Sequence, residues 1–159
     1  MASNPILDLY ERIGHGLYAY ARSLSGRADL AEDFVQEAFL RYLQTGRSTA
    51  DPSAGPFLYG IVRHLGLDLV RRSARREKHE AEAARARAAV STGVEALALT
   101  ELEQLPFEQR EVVALKIFGD LTFEAIGELV RVPAATAASR YRYALEKLAA
   151  RLSAHQEAR

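Results

Sequence analysis

The chain has no cysteine and no tryptophan, one methionine, and five prolines among its 159 residues. Without cysteine, a disulfide framework and a thiolate metal site are both excluded. Only four histidines occur, His15, His64, His79 and His155, and they lack paired ligand spacing, so no metal is expected. No apolar run reaches the roughly 18 residues that a membrane span needs, and Met1 to Pro5 lacks the basic-then-apolar order of a leader. No membrane insertion is expected, and the protein is expected to be cytoplasmic. A nucleophile–base pair and a glycine-rich phosphate loop are also missing, so the expectation is no enzyme, no cofactor and no small-molecule substrate.

Net charge is lacking as well: 21 basic residues balance 21 acidic ones. The charges are nevertheless segregated. Arg63 to Lys78 holds six basic and two acidic residues, and Arg131 to Arg151 five basic and one acidic. Glu101 to Glu128 holds seven acidic and two basic residues, and Ala28 to Leu40 four acidic and no basic ones. Two basic faces suit an anionic partner and two acidic faces something else. Solvated helix faces are the plainer account of the same pattern.

The 48% hydrophobic and 26% charged residues mark an ordered globular protein. Apolar residues recur at helical spacing nearly throughout, and no alternating strand pattern has useful length. The fold expected is all-α. Ile6, Leu9, Ile13, Leu17, Tyr20 and Leu24 mark a first helix stopping near Gly26. Asp29 and Glu32 fit a capping pair opening a second helix that buries Phe34, Val35, Ala38 and Phe39. Gly46 to Pro56, with two glycines and two prolines, reads as a loop. A third helix turns Phe57, Leu58, Ile61, Val62, Leu65 and Leu69 inward and carries Arg63, His64, Asp68, Arg71, Arg72 and Arg75 outside. Residues 78–93 are alanine with scattered Glu and Arg and nothing large to bury, so they read as a linker. Two small domains result, 1–77 and 94–159. Cores this thin gain stability from a bound partner.

In the second domain Leu97, Leu99, Leu102 and Leu105 make one helix, and Pro106 suits the first position of the next, with Gly119 as its left-handed stop. Thr122 caps a short helix holding Phe123, Ala125, Ile126 and Leu129. Val130-Arg131-Val132-Pro133 is a tight turn, because a residue before proline is pushed from the helical region. A last helix follows, Ala134 to about Leu152. Short helix, four-residue turn and second helix make a helix-turn-helix, which lays its second helix in a major groove. Ala134, Ala135, Ala137 and Ala138 allow close approach there, while Thr136, Ser139, Arg140 and Arg142 offer donors to phosphates or base edges. A plain helical hairpin with solvated arginines is the competing account.

The runs Leu105 to Val112, Leu121 to Ile126 and Val132 to Arg140, together with Ala31 to Leu40 and Phe57 to Arg72, resemble extracytoplasmic-function (ECF) sigma factors of the sigma-70 family. The first three are similar to region 4, the fourth to region 2.2 and the last to regions 2.3 and 2.4. The resemblance implies a region 2 bundle of three or four helices and a region 4 helix-turn-helix, joined by a linker threading through RNA polymerase. It implies that Glu32, Asp33, Gln36 and Glu37 dock on the clamp helices of the polymerase largest subunit. Region 2 would hold minus-ten DNA through Arg63, His64, Arg71, Arg72 and Arg75, with the Thr45 to Pro56 loop receiving a flipped base. His64 and Asp68, one turn apart, also fit a local ion pair. Region 4 would hold minus-thirty-five DNA through Arg131, Thr136, Ser139, Arg140, Arg142 and Tyr143. Glu101, Glu103, Glu108 and Glu111 would face the polymerase flap or balance charge. A separate anti-sigma protein is a further implied partner, since no receiver or extra C-terminal domain is recognisable.

The chain departs from the family pattern at three places. Arg131 stands for the turn glycine, Ala137-Ala138 interrupt the usual region 4 motif where a lysine is common, and Phe57 replaces a frequent tryptophan. The lost lysine removes one DNA contact, which Arg131 could supply. Two other functions stay open: a stand-alone helix-turn-helix regulator, and a sigma mimic that titrates an anti-sigma protein.

Overall fold

The computed structural model describes residues 3–75 and 94–158, with side chains described for 3–73 and 97–158. The chain divides into two compact units, Met1–Ala88 and Ala89–Arg159. Seven helices and no strand occur among the described residues. The segment 78–93, read as a linker, lies outside them. No helix among the described residues is long and apolar enough to cross a membrane.

The first unit is built from α1 (Pro5–Ser25), α2 (Ala28–Gln44) and α3 (Ala54–Arg75). Helix α1 starts where the Asn4 side chain accepts a hydrogen bond from the Ile6 amide at 3.1 Å. It ends at Gly26, left-handed at φ 68°, whose N–H donates to the Arg22 carbonyl. Leu9, Leu17, Tyr20, Ala21 and Leu24 follow its inner stripe and are buried. Fully burying each of these leucines contributes about 1.5–3 kcal/mol. Helix α2 packs Val35, Ala38, Phe39 and Tyr42 on the same core, and α3 adds Leu58, Tyr59 and Val62. Tilted ring contacts join the helices, Tyr10–Phe39 at 5.4 Å and Tyr20–Tyr59 at 5.6 Å between centroids. Burial pushes the Tyr59 phenol well above its ordinary value.

Two expectations for this unit need correction. The cap of α2 is Arg27, without a side-chain cap bond, so Asp29 and Glu32 form no capping pair. Asp29 lies inside the first turn, where its carboxylate meets Arg27 Nε at 3.0 Å. A capping acceptor must stand outside the helix, whereas an acid in the first turn acts on the helix dipole instead. The Arg27 guanidinium holds the Asp29 carboxyl below its ordinary value. The loop before α3 is also shorter than expected. It closes at Ser53, and Pro56 is the third helical residue, where a missing N–H costs nothing.

The second unit holds α4 (Val94–Glu103), α5 (Phe107–Ile117), α6 (Phe123–Val130) and α7 (Ala134–Glu157). Leu102, Leu105, Val113 and Ala144 form a core cluster on which Phe118, Tyr141 and Leu148 pack. Val112, Leu115, Ile126 and Val130 are also buried. Pro106 is the N-cap of α5 rather than its first residue. The left-handed residue after α5 is Asp120, φ 50°, and not Gly119, because the chain runs on through Phe118 and Gly119 before it reverses. The Gly119 amide still bonds the Ala114 carbonyl, and the Leu121 amide the Leu115 carbonyl. Helix α7 runs to Glu157, five residues beyond the expected end at Leu152. A tertiary clasp accounts for the extension. Glu101 of α4 is buried, and its Oε1 lies 2.9 Å from His155 Nε2. Arg151 Nη1 reaches the Glu101 carbonyl oxygen and Arg151 Nη2 that of Gln104, each at 3.5 Å.

Candidate nucleic-acid interface

The helix-turn-helix is α6, residues 131–133 and α7. Thr122 Oγ1 accepts from the Ala125 amide at 3.1 Å, which fixes the start of α6. Arg131 caps the other end in the left-handed region, φ 61° and ψ 48°, a conformation that favours glycine. The Gly127 carbonyl accepts from the Arg131 and Val132 amides, so the turn closes tightly on α6. A Cβ on Gly127 would lie 2.6 Å from the Val132 carbonyl oxygen; only glycine fits. The ring of Phe123 meets Tyr141 edge-on at 5.5 Å, and Lys116 Nζ sits 4.6 Å over the same ring. The first contact sets α6 against α7, and the second ties α6 to Lys116 of α5.

Helix α7 has two distinct faces. Ala137, Tyr141, Ala144 and Leu148, spaced by four, three and four residues, point to the core. Thr136, Ser139, Arg140 and Tyr143 share another face at the N-terminal half of the helix. Ala137 was expected to admit close DNA approach, but it is fully buried, since helical spacing from Ala144 turns it inward. Thr136 is half-buried, and Ser139 Oγ donates to the Ala135 carbonyl. Tyr143 is 51% exposed, with the Arg142 guanidinium 5.3 Å from its ring centroid. Arg140 is 25% exposed at its side chain, and its Nη2 lies 3.8 Å from Glu108 Oε2 of α5.

On α3, His64, Asp68, Arg71 and Arg72 line one exposed face, while Arg63 is half-buried beside it. Asp68 lies between a histidine and an arginine, 3.6 Å from His64 Nε2 and 3.8 Å from Arg71 Nη1. Arg75 falls in the last turn, and its side chain is outside the described ones. The neighbouring loop, residues 45–53, is held by its own bonds. Tyr42 Oη donates to the Ser48 carbonyl at 2.6 Å, and Arg47 stacks 5.0 Å over the Phe57 ring. The Asp51 carboxylate accepts from the Ser53 amide at 2.9 Å and its hydroxyl at 2.8 Å. Those two donors hold the Asp51 carboxyl below its ordinary 3.8.

The acidic face of α2 is more than a charge patch. Glu32, Asp33 and Gln36 are exposed, whereas Glu37 is tied to Arg41 Nε at 2.6 Å. Glu32 and Gln36 border a groove of about 960 Å³ between α1 and α2, floored by Val35 and Phe39. Leu7, Tyr10, Leu40 and Leu43 stand around it, each about half exposed. Sequence reasoning missed this groove, although Leu40 and Leu43 continue the Glu32–Gln36 stripe at helical spacing. The acidic surface of the second unit shrinks instead. Glu101 and Glu111, at 6% and 1% exposure, are internal and partnered, so they cannot face a flap.

Family models of sigma-70 region 2 and sigma-70 region 4 match residues 9–76 and 96–148. The chain is similar to the ECF RNA polymerase sigma factor EcfG of Rhodopseudomonas palustris, 34% identical over 143 residues. That match covers 86% of this chain and 78% of the relative. It is also similar to the ECF RNA polymerase sigma factor SigW of Bacillus subtilis, at 27% identity over 90% of this chain and 84% of the relative. In fold it resembles the sigma factor RpoE of Bartonella quintana, solved with the anti-sigma factor NepR. There the TM-score is 0.70 and the identity 21%, covering 93% of this chain and 94% of that one.

Proposed function

The chain belongs to the ECF group of the sigma-70 family and is a sigma factor that binds core RNA polymerase and directs promoter recognition and initiation, and from that premise we propose which of its surfaces do each task. Residues 1–77 are region 2, 78–93 the linker and 94–159 region 4. Polymerase docks on the α2 face. Glu32, Asp33, Gln36 and Glu37 steer a basic clamp helix electrostatically, and the apolar groove beside Glu32 and Gln36 takes its hydrophobic residues. The exposed face of α3, with His64, Arg71 and Arg72, holds the minus-ten DNA backbone together with Arg63 beside it and Arg75 in the last turn. The 45–53 loop, stiffened by Tyr42 and Asp51, receives an unstacked base.

The face of α7 carrying Thr136, Ser139, Arg140 and Tyr143, with Arg142 and the turn residue Arg131, reads minus-thirty-five duplex. That face supports the promoter reading most strongly. It gathers donors from positions spaced 3, 4 and 7 along a helix whose opposite side is core. No bond is made or broken by the chain itself, and the polymerase supplies the chemistry. The protein acts where polymerase and chromosome meet, in the cytoplasm. A separate anti-sigma protein regulates it, a reading drawn from the family resemblance and from the fold shared with a sigma factor solved in such a complex.

Run-off transcription with core polymerase on a promoter library tests the assignment. Asp33→Lys with Glu37→Lys should abolish polymerase binding and initiation together. Arg140→Ala should leave polymerase binding intact and weaken duplex binding by about 1–3 kcal/mol. A chain that initiates nowhere but binds duplex tightly alone would instead be a stand-alone regulator. One that does neither, yet binds an anti-sigma protein, would be a mimic.

A further inference from the structure

The cations assigned to DNA on the two units do not stand alone. Between Arg63 and Arg76 the sequence has a single carboxylate, Asp68. It is placed to touch both His64, at 3.6 Å, and Arg71, at 3.8 Å. In the second unit Arg140 has a carboxylate from another helix, Glu108 in the first turn of α5, at 3.8 Å. We propose that Asp68 and Glu108 are built-in counter-ions of the two DNA faces, competing with phosphate for these cations and so holding down binding to DNA of arbitrary sequence. The inference rests on the assignment of those faces above.

Three observations carry it. The Arg71–Asp68 and Arg140–Glu108 separations of 3.8 Å exceed hydrogen-bond length, so attraction is Coulombic and no directional bond locks either guanidinium. An arginine held this way can turn to a phosphate without first breaking a hydrogen bond. Both carboxylates are open to solvent, at 40% for Asp68 and 69% for Glu108. A phosphate approaching the arginine therefore meets the carboxylate as well, and like charges repel it. Helix stabilisation covers only part of the two sites. Asp68 precedes Arg71 by three residues, the favourable order along a helix, but it follows His64 in the weaker order, and the Glu108–Arg140 pair joins two different helices.

The consequence is selective. Binding to arbitrary DNA is nearly all phosphate contact, so anything that blunts these cations blunts it most. Promoter binding adds base contacts, which these carboxylates do not oppose in the same measure. Asp68 and Glu108 thus widen the gap between promoter and random DNA at some cost in total affinity.

The test uses holoenzyme assembled from the full chain and core polymerase, titrated with a promoter duplex and with a duplex of random sequence over a range of salt. Asp68→Asn and Glu108→Gln keep the side-chain shape and remove the charge. Each should tighten random-sequence binding about two- to five-fold at low salt, the size of an exposed ion pair. The gain should shrink as salt screens it, and the promoter-to-random ratio should fall. Glu157→Gln removes equal charge about five turns further along α7 and should produce no such gain. Unchanged random-sequence binding in Asp68→Asn and Glu108→Gln, or an equal gain in Glu157→Gln, overturns the proposal. Arg71→Ala and Arg140→Ala separate the two levels of the argument. If they weaken binding while the carboxylate variants do nothing, only the counter-ion role falls. If the arginine variants also leave both duplexes bound as before, the DNA faces themselves are wrongly assigned.

Discussion

Replacing Gly127 by alanine should cost the second unit stability although alanine is the better helix former. In an ordinary helix interior the exchange gains about 1 kcal/mol. Here the new methyl would stand 2.6 Å from the Val132 carbonyl oxygen, 3.3 Å from the Ala134 amide nitrogen and 3.4 Å from the Pro133 carbonyl carbon. All three atoms are backbone, of the turn or of the first residue of α7, so no side chain can swing aside. Overpacking of this kind costs roughly 1–3 kcal/mol. Moving the turn also lengthens the bonds from the Arg131 and Val132 amides to the Gly127 carbonyl, each contributing about 0.5–1.5 kcal/mol. The net expectation is a loss of about 1–3 kcal/mol. In a domain of this size that lowers the melting temperature by roughly 5–20 °C. Thermal unfolding of the full chain followed by circular dichroism reads the loss, and duplex titration reads the misplaced α7. Gly46→Ala, in the other unit, is the steric comparison: nothing lies within 4 Å of a Cβ there, so any loss reflects its positive φ alone. A Gly127→Ala protein as stable as the parent, or more so, would refute the close approach of turn and helix.

Three further outcomes follow from the same geometry. Arg131→Gly removes a left-handed non-glycine residue, so the melting temperature should rise by the equivalent of about 1 kcal/mol while duplex affinity falls; a fall in both would mean that Arg131 is not strained. Ala137→Lys places an ammonium at a fully buried position and should unfold the second unit by several kcal/mol. Ala138→Lys, at a half-buried site next to it, should fold normally and steepen the salt dependence of duplex binding by about one ion; equal stability of the two variants would contradict the face assignment. The Asp51 carboxyl lies below its ordinary 3.8 because the folded loop hydrogen-bonds its charged form. Its contribution to the loop is therefore complete above pH 3.8 and is lost as pH falls through the lowered value. The Ser53 amide shift should titrate with a midpoint under 3.8, and a midpoint at or above it would contradict the hydrogen bonds from Ser53 to the Asp51 carboxylate.

Much of the protein can be read along the chain because its signals are local. A residue's neighbours three and four positions away decide whether a helix has an apolar stripe, and Leu9, Leu17 and Leu24 or Leu58 and Val62 carry that stripe plainly. The Thr122 cap and the reversal before Pro133 depend on a few consecutive residues, which is why the helix-turn-helix was legible. The segregated charges of α2, α3 and α7 were legible for the same reason. The end of α7 was not, because its last turns are held by Glu101, some fifty residues earlier.

What the sequence by itself determined is therefore the helices, the turn and the chemistry offered on each exposed face, since backbone preference and periodicity act over single turns. Only the tertiary structure decided which carboxylates meet solvent and which meet cations. Glu101 and Glu111 read like Glu108 in sequence, yet two are internal and one faces Arg140. It also decided that Ala137 belongs to the core, and that Leu7, Tyr10, Leu40 and Leu43 gather at one groove. Burial and ion pairing depend on which helix faces meet, and that is settled by packing between segments distant along the chain.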